Sequence, residues 1–237
     1  MSDNTKAVVF AAVLSLVCCV LITAACTGLQ KYQRINAELD RQVNILRSVG
    51  LVEEGRKYTK DEIGSIYKDH IVNAWALSSG KVVLEKPQEN TGVQPLYLSK
   101  DKDTLEAYII PLNVRGLWGR IYGYLALKSD GETIQGFTVY QHSETPGLGG
   151  EIESSWFRNN FKGKKIVDQN ENFVSITVAK GSAKDRAPKG ELDNYVDGIS
   201  GASLTGKYLS QGFKQTLEKF EPLSENLRKN GPSAIRL

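Results

Sequence analysis

Residues 121–140 read IYGYLALKSDGETIQGFTVY. Two runs rich in β-branched and aromatic residues, 121–128 and 133–140, flank Ser129-Asp130-Gly131-Glu132, whose Asp-Gly pair is a hairpin turn signal. The stretch predicts two antiparallel strands. Residues 106–111 (EAYIIP) upstream and 173–179 (FVSITVA) downstream share that composition and predict further strands. Toward the C-terminus, Leu204, Tyr208, Leu209, Phe213, Leu217 and Phe220 fall on one helical face, and Asp197 or Ser200 is available as the N-cap. Strands followed by a terminal helix predict an α+β domain, an antiparallel sheet flanked by helices.

Outward from this centre, residues 50–103 alternate short apolar runs with charges and carry no readable chemistry. The polar stretch 85–92 contains a proline and reads as a loop. Further upstream, Ile35, Leu39, Val43, Leu46 and Val49 recur at helical spacing between charges, as in an amphipathic stalk. Residues 7–29 (AVVFAAVLSLVCCVLITAACTGL) hold no charge and are bounded by Lys6 and Lys31. As a helix they extend roughly 34 Å, enough for a hydrocarbon core of about 30 Å. A transmembrane anchor is expected. The alternative is a processed leader, in which Thr23-Ala24-Ala25-Cys26 serves as a lipoprotein cleavage box.

Composition removes several function classes. The chain has 237 residues, 24% of them charged, and a net charge of +3 with no basic block, which argues against nucleic acid as a partner. Its only histidines are His70 and His142, and its three cysteines (Cys18, Cys19 and Cys26) all lie in the apolar segment. No zinc–cysteine or iron–sulfur site is therefore expected beyond residue 30, and no multi-histidine metal site or haem with two His ligands.

Three stretches carry residues that core packing does not call for. Residues 197–206 (DGISGASLTG) place small residues and three hydroxyls at the mouth of the C-terminal helix, where free N–H groups and the positive dipole end suit a phosphate. Lys207, one turn beyond Ser203, lies within reach of such a group. The plain alternative is a capped helix start. Residues 143–151 (SETPGLGGE) follow a strand and allow a tightly shaped backbone, without Rossmann or P-loop spacing. Residues 116–119 (GLWG) hold a tryptophan that is either a core anchor or an exposed ring beside a ligand.

Together these stretches resemble the FMN-binding domain family. The family's attachment motif is Asp, Gly or Ala, any residue, Ser or Thr, then Gly-Ala-Thr. It stands here as Asp197-Gly198-Ile199-Ser200-Gly201-Ala202-Ser203, with Ser203 where the family most often has Thr. The ETPGLGGE and GLWG stretches, the apolar N-terminus and the length are similar to the branch formed by the C subunits of Na+-translocating NADH:quinone oxidoreductases.

The resemblance implies FMN joined by a phosphoester bond to Ser203, with Thr205 as the fallback acceptor. It places Asp197, Gly198, Ser200, Gly201, Ala202 and Lys207 around the attachment point. Glu144, Thr145, Gly147, Leu148 and Trp118 would lie against the flavin, with Lys180 and Gly181 as further contacts. It implies no metal and no residue acting as acid, base or nucleophile on a small substrate. The implied role is an electron carrier between NADH and quinone in a complex that exports Na+, with the other subunits and a flavin transferase as partners. The implied layout is a cytoplasmic tail (1–6), a transmembrane helix (7–29), a helical stalk (30–50) and an extracytoplasmic FMN-binding domain (51–237) at the bacterial inner membrane. Two alternatives stay open: the G subunit of Rnf-type ferredoxin:NAD oxidoreductases, and a flavin-free, membrane-anchored assembly or binding protein.

Overall fold

The computed structural model describes residues 2–88 and 92–235. The chain divides between Asp40 and Arg41 into two compact units. The first is carried by helix α1 (Asp3–Ser48), whose apolar stretch reaches a mean hydropathy of 2.8 over eighteen residues with none of them buried. A helix so exposed and so apolar is long enough to cross a membrane. Cys18, Cys19 and Cys26 are free and exposed on it.

The second unit starts with the last two turns of α1. Leu46 and Val49 are buried as their spacing predicts, and Asn44, Ile45 and Ser48 join them, whereas Ile35 is exposed. Helix α2 (Lys60–His70) follows, opened by a capping box in which Thr59 and Glu62 satisfy each other's backbone N–H groups. A six-stranded antiparallel sheet comes next: β1 (Ile71–Ala76), β2 (Val82–Val83), β3 (Gln94–Asp101), β4 (Thr104–Arg115), β5 (Arg120–Lys128) and β6 (Ile134–Gln141), in the order β2-β1-β3-β4-β5-β6. Residues 50–103 thus supply a helix and half of the sheet, which their mixed patterning does not announce. Of the loop expected over 85–92, residues 89–91 lie outside the described residues, and 85–88 are irregular.

The hairpin read from residues 121–140 is β5–β6, paired antiparallel. Asp130 closes its turn by accepting the N–H groups of Glu132 and Thr133. Residues 173–179 form no full strand. Ser175 turns to φ 74°; before it Phe173 makes a single antiparallel bridge to Val167, and after it β7 (Thr177–Val178) pairs, in parallel, with β8 (Tyr195–Val196). Short helices α3 (Ser155–Asn159) and α4 (Ala183–Arg186) precede the long helix α5 (Ser203–Asn230).

Helix α5 packs on one face of the sheet. Leu209, Phe213, Leu217 and Phe220, at most 3% exposed, meet a core that includes Tyr108, Leu125 and Phe137. The approach is close: a Cβ on Gly212 would stand 2.4 Å from Val114 Cβ. Two expected members of the helical face differ. Tyr208 is half-buried and Leu204 is 53% exposed. The end of α1 packs on other residues of the sheet, where Thr138 Oγ1 donates to the Asn44 carbonyl and Gln135 Nε2 to that of Val49.

Candidate functional site

Three connections meet at one end of the sheet. The turn between β4 and β5 is closed by the Gly116 N–H donating to the Gly119 carbonyl at 2.7 Å, and it presents Trp118 to solvent. At 70% exposure Trp118 is no core anchor. The loop after β6 folds on itself, with the Thr145 carbonyl accepting from Leu148 N–H and Gly150 N–H. The third segment, 197–202, leads into α5. Gly201 adopts φ 75° and approaches the loop so closely that a Cβ would lie 2.7 Å from Leu148 Cδ2.

A buried carboxylate ties these segments together. Glu144 is 4% exposed. Its Oε2 accepts from Thr205 Oγ1 at 2.5 Å, and its Oε1 accepts from the Trp118 backbone N–H at 3.0 Å. Beside it, His142 Nδ1 accepts the Glu144 N–H, and His142 Nε2 lies 3.3 Å from Glu153.

The first turn of α5 has Ala202 at its N-cap position and no side-chain cap. Neither Asp197 nor Ser200 caps it. Asp197 Oδ1 instead accepts from Ala183 N–H at 2.7 Å, tying α4 to this loop. Residues 203–205 therefore offer backbone N–H groups that no side chain claims, the arrangement that favours an anion. Ser203 is exposed at this turn, whereas Thr205 is 1% exposed and engaged by Glu144.

Ser203 stands on the edge shared by two clefts. The first, about 350 Å³, is lined by Leu117, Trp118, Glu144, Thr145, Leu148, Gly149 and residues 201–205. The second, about 410 Å³, is lined by residues 177–180 of β7 and its continuation, Ser203, Leu204, Lys207, Ser210 and Gln211. Both volumes lie within the usual span of small-molecule sites, about 300–1,000 Å³. Leu117, Trp118, Leu148 and Leu204 leave an exposed apolar rim around the first cleft.

The structure thus gathers Trp118, Glu144, Thr145, Leu148, Gly201, Ala202, Ser203 and Thr205 at the first cleft and Lys180, Ser203 and Lys207 at the second. Asp197, Gly198, Ser200, Gly147 and Gly181 line neither cleft. Gly198 and Gly181 brace the segment through the Gly198 N–H bond to the Gly181 carbonyl, and Gly147 makes a turn at φ 71°. Leu117, Gly149 and Leu204 are additions to the first cleft. For Leu117 and Gly149 the signal was their place inside the quoted motifs. Leu204 lies inside the 197–206 stretch too, but its spacing fits the buried helical face. Among the described residues no group of three or more His, Cys, Asp or Glu side chains is arranged to hold a metal ion.

Residues 116–218, which contain all three segments, match the FMN-binding domain family. The chain is 34% identical to the C subunit (NqrC) of the Na(+)-translocating NADH-quinone reductase of Vibrio anguillarum over 237 aligned positions, 90% of each chain. The chain belongs to the NqrC family. A crystal structure of the Parabacteroides distasonis family member superposes with a TM-score of 0.67 at 30% identity, covering 82% of this chain and 96% of the other. NqrC of Shewanella oneidensis shares the fold, with a TM-score of 0.64 at 23% identity over 84% of this chain and all of that one.

Proposed function

We propose that this NqrC family member carries FMN as a phosphoester on Ser203 and relays electrons from NADH toward quinone within a Na+-exporting reductase complex. The observation that carries the reading is the Ser203 hydroxyl, exposed at the uncapped first turn of a long helix and shared by two clefts.

The residues fit the parts of the cofactor. A phosphate on Ser203 is favoured by the free N–H groups of the helix start and by the cations of Lys207 and Lys180 in the second cleft. Leu117, Trp118, Leu148 and Leu204 supply apolar surface for a planar ring. Ser200, Gly201 and Ala202 shape the acceptor turn, Asp197, Gly198 and Gly181 brace it, and Thr145 and Gly147 shape the facing loop. The enclosed Thr205 hydroxyl, held by Glu144, favours Ser203 as acceptor. Bound FMN supplies a redox centre, and the chain's own task is to hold and orient it. A covalent link makes loss by dissociation irrelevant where no flavin pool replenishes the site.

In this reading residues 1–6 face the cytoplasm, 7–29 cross the bacterial inner membrane, 30–50 form a stalk, and 51–237 are the extracytoplasmic flavin domain. A flavin transferase matures it. One apolar helix lines no ion path, so Na+ movement falls to polytopic partner subunits and NADH oxidation to another subunit.

The test is in-gel flavin fluorescence of the denatured full chain, made in cells with an active flavin transferase, followed by mass spectrometry of the peptide holding residues 200–207. The expected result is fluorescence and the mass of FMN minus one water on Ser203, both lost in Ser203→Ala. Mass on Thr205 corrects the site. A dark band, with the transferase active on a threonine-bearing control, overturns the reading.

A further inference from the structure

The Glu144 carboxylate is fixed on every side. Thr205 Oγ1 and the Trp118 N–H hold its two oxygens at 2.5 and 3.0 Å. Glycines close on it from both flanks. A Cβ on Gly116 would stand 2.5 Å from Oε1, and one on Gly149 would stand 2.7 Å from Oε2. Its donors are neutral, and among the described residues no lysine or arginine forms an ion pair with it. The neighbouring His142 presents Nδ1 to the Glu144 backbone and Nε2 to Glu153, not to the carboxylate. Glu144 is therefore a buried acidic group without a counter-cation, and it lines the cleft beside Ser203.

We propose that Glu144, held in place by Thr205, is the residue that sets the electron affinity of the flavin in this cleft, keeping its reduction potential low. The proposal rests on the reading that the cleft holds FMN. Each electron added to the ring brings negative charge. A fixed carboxylate nearby, in surroundings of low effective dielectric, opposes that charge more than water would allow. No bond forms or breaks; the carboxylate shifts only the equilibrium of electron uptake.

The experiment is a spectroscopic redox titration, with dithionite as reductant, of the full-length flavinylated chain in detergent. Flavin content per chain is measured separately by fluorescence and mass. Glu144→Gln keeps the size of the side chain and removes the charge. In the molecules that carry flavin it is expected to favour the reduced form at least tenfold, about 59 mV upward for a one-electron step. Glu144→Asp, which restores the charge, stays near the parent value. Glu153→Gln, at an exposed carboxylate, leaves the potential unmoved.

A fully loaded Glu144→Gln with the parent potential overturns the proposal and leaves the flavin reading intact. Should Glu144→Gln not load, Thr205→Val decides. It leaves the carboxylate without its hydroxyl donor, so the potential falls below the parent's, and an unchanged or higher value overturns the proposal. A parent chain that carries no flavin removes both readings together.

Discussion

Gly149→Ala tests the central claim of the site, that three chain segments are locked together around one hydrogen bond. Gly149 does not use the left-handed region of φ, so the backbone accepts alanine and any cost is steric. The added methyl lands 2.6 Å from Thr205 Oγ1, 2.7 Å from Glu144 Oε2 and 3.1 Å from Glu144 Cβ. The two oxygens are bonded to each other at 2.5 Å, and their residues are 1% and 4% exposed, so neither swings away freely. Either the bond breaks or the loop shifts. A lost hydrogen bond to a charged group costs about 1.5–3 kcal/mol, and forced overpacking about 1–3 kcal/mol. Relaxation makes the two costs partly exclusive, which puts the expected loss at about 3 kcal/mol. For a unit of this size that corresponds to a melting temperature lower by about 6–12 °C. The assay is urea and thermal unfolding of the full chain in detergent, run as a double-mutant cycle with Thr205→Ala. Truncating Thr205 empties the space the methyl needs, so the double variant is less destabilised than the sum of the two singles. A Gly149→Ala melting curve that overlays the parent's, or strict additivity in the cycle, refutes the locked-site argument.

Two further outcomes probe the rest of the unit. Phe213→Ala removes a fully buried ring that meets Phe137 and Phe161 at centroid distances of 5.4 Å each, and should cost about 3–5 kcal/mol by denaturant unfolding. Arg158, nearly buried, donates to Glu54 at 2.5 Å, and Glu54 is about half exposed. Burial pushes the Glu54 carboxyl up, but a hydrogen bond from Ser155 and the charges of Arg158 and Arg47 outweigh it and hold the group below its ordinary value of 4.5. A lowered carboxyl contributes stability that is present above about pH 4.5 and lost as pH falls through the folded-state value. Glu54→Gln should therefore cost about 1 kcal/mol near neutral pH, a figure limited by solvent screening, and its unfolding curves should merge with the parent's in acid.

What the sequence made legible follows the strength of its local signals. The β5–β6 hairpin was readable because its Asp-Gly turn stands between two runs of strand-forming residues, and Asp130 does close that turn. The strands β1 to β3 were not, because β2 is an edge strand of two residues and the interior strands β1 and β3 mix polar residues into short apolar runs. The Thr59–Glu62 capping box was a usable start signal for α2 that the mixed patterning obscured. At 173–179 the strand-like composition was overruled by the positive φ of Ser175. Helix α5 has no side-chain cap, and Asp197 is drawn instead to the Ala183 N–H, a partner that only tertiary structure supplies. For the site, the glycine motifs announced close approach. They did not announce that Glu144 and Thr205, 61 residues apart, would meet and enclose one of the two hydroxyls competing for the acceptor role.

The burial of residues 44–49 bears on where the chain tolerates being cut. Their backbone carbonyls receive Gln135 and Thr138, and the Ser48 carbonyl sits over Gly136, where a Cβ would come within 2.4 Å. Arg41 donates to the Tyr97 hydroxyl at 3.0 Å. A fragment trimmed to begin at residue 51, after the apolar segment and its helical extension, would lose Ile45 and Leu46 from its core and bare the sheet surface they cover. Such a fragment invites self-association. One that begins at Arg41 keeps the whole packing set while leaving out residues 7–29. The ten residues between those two starting points decide whether the detached domain stays soluble.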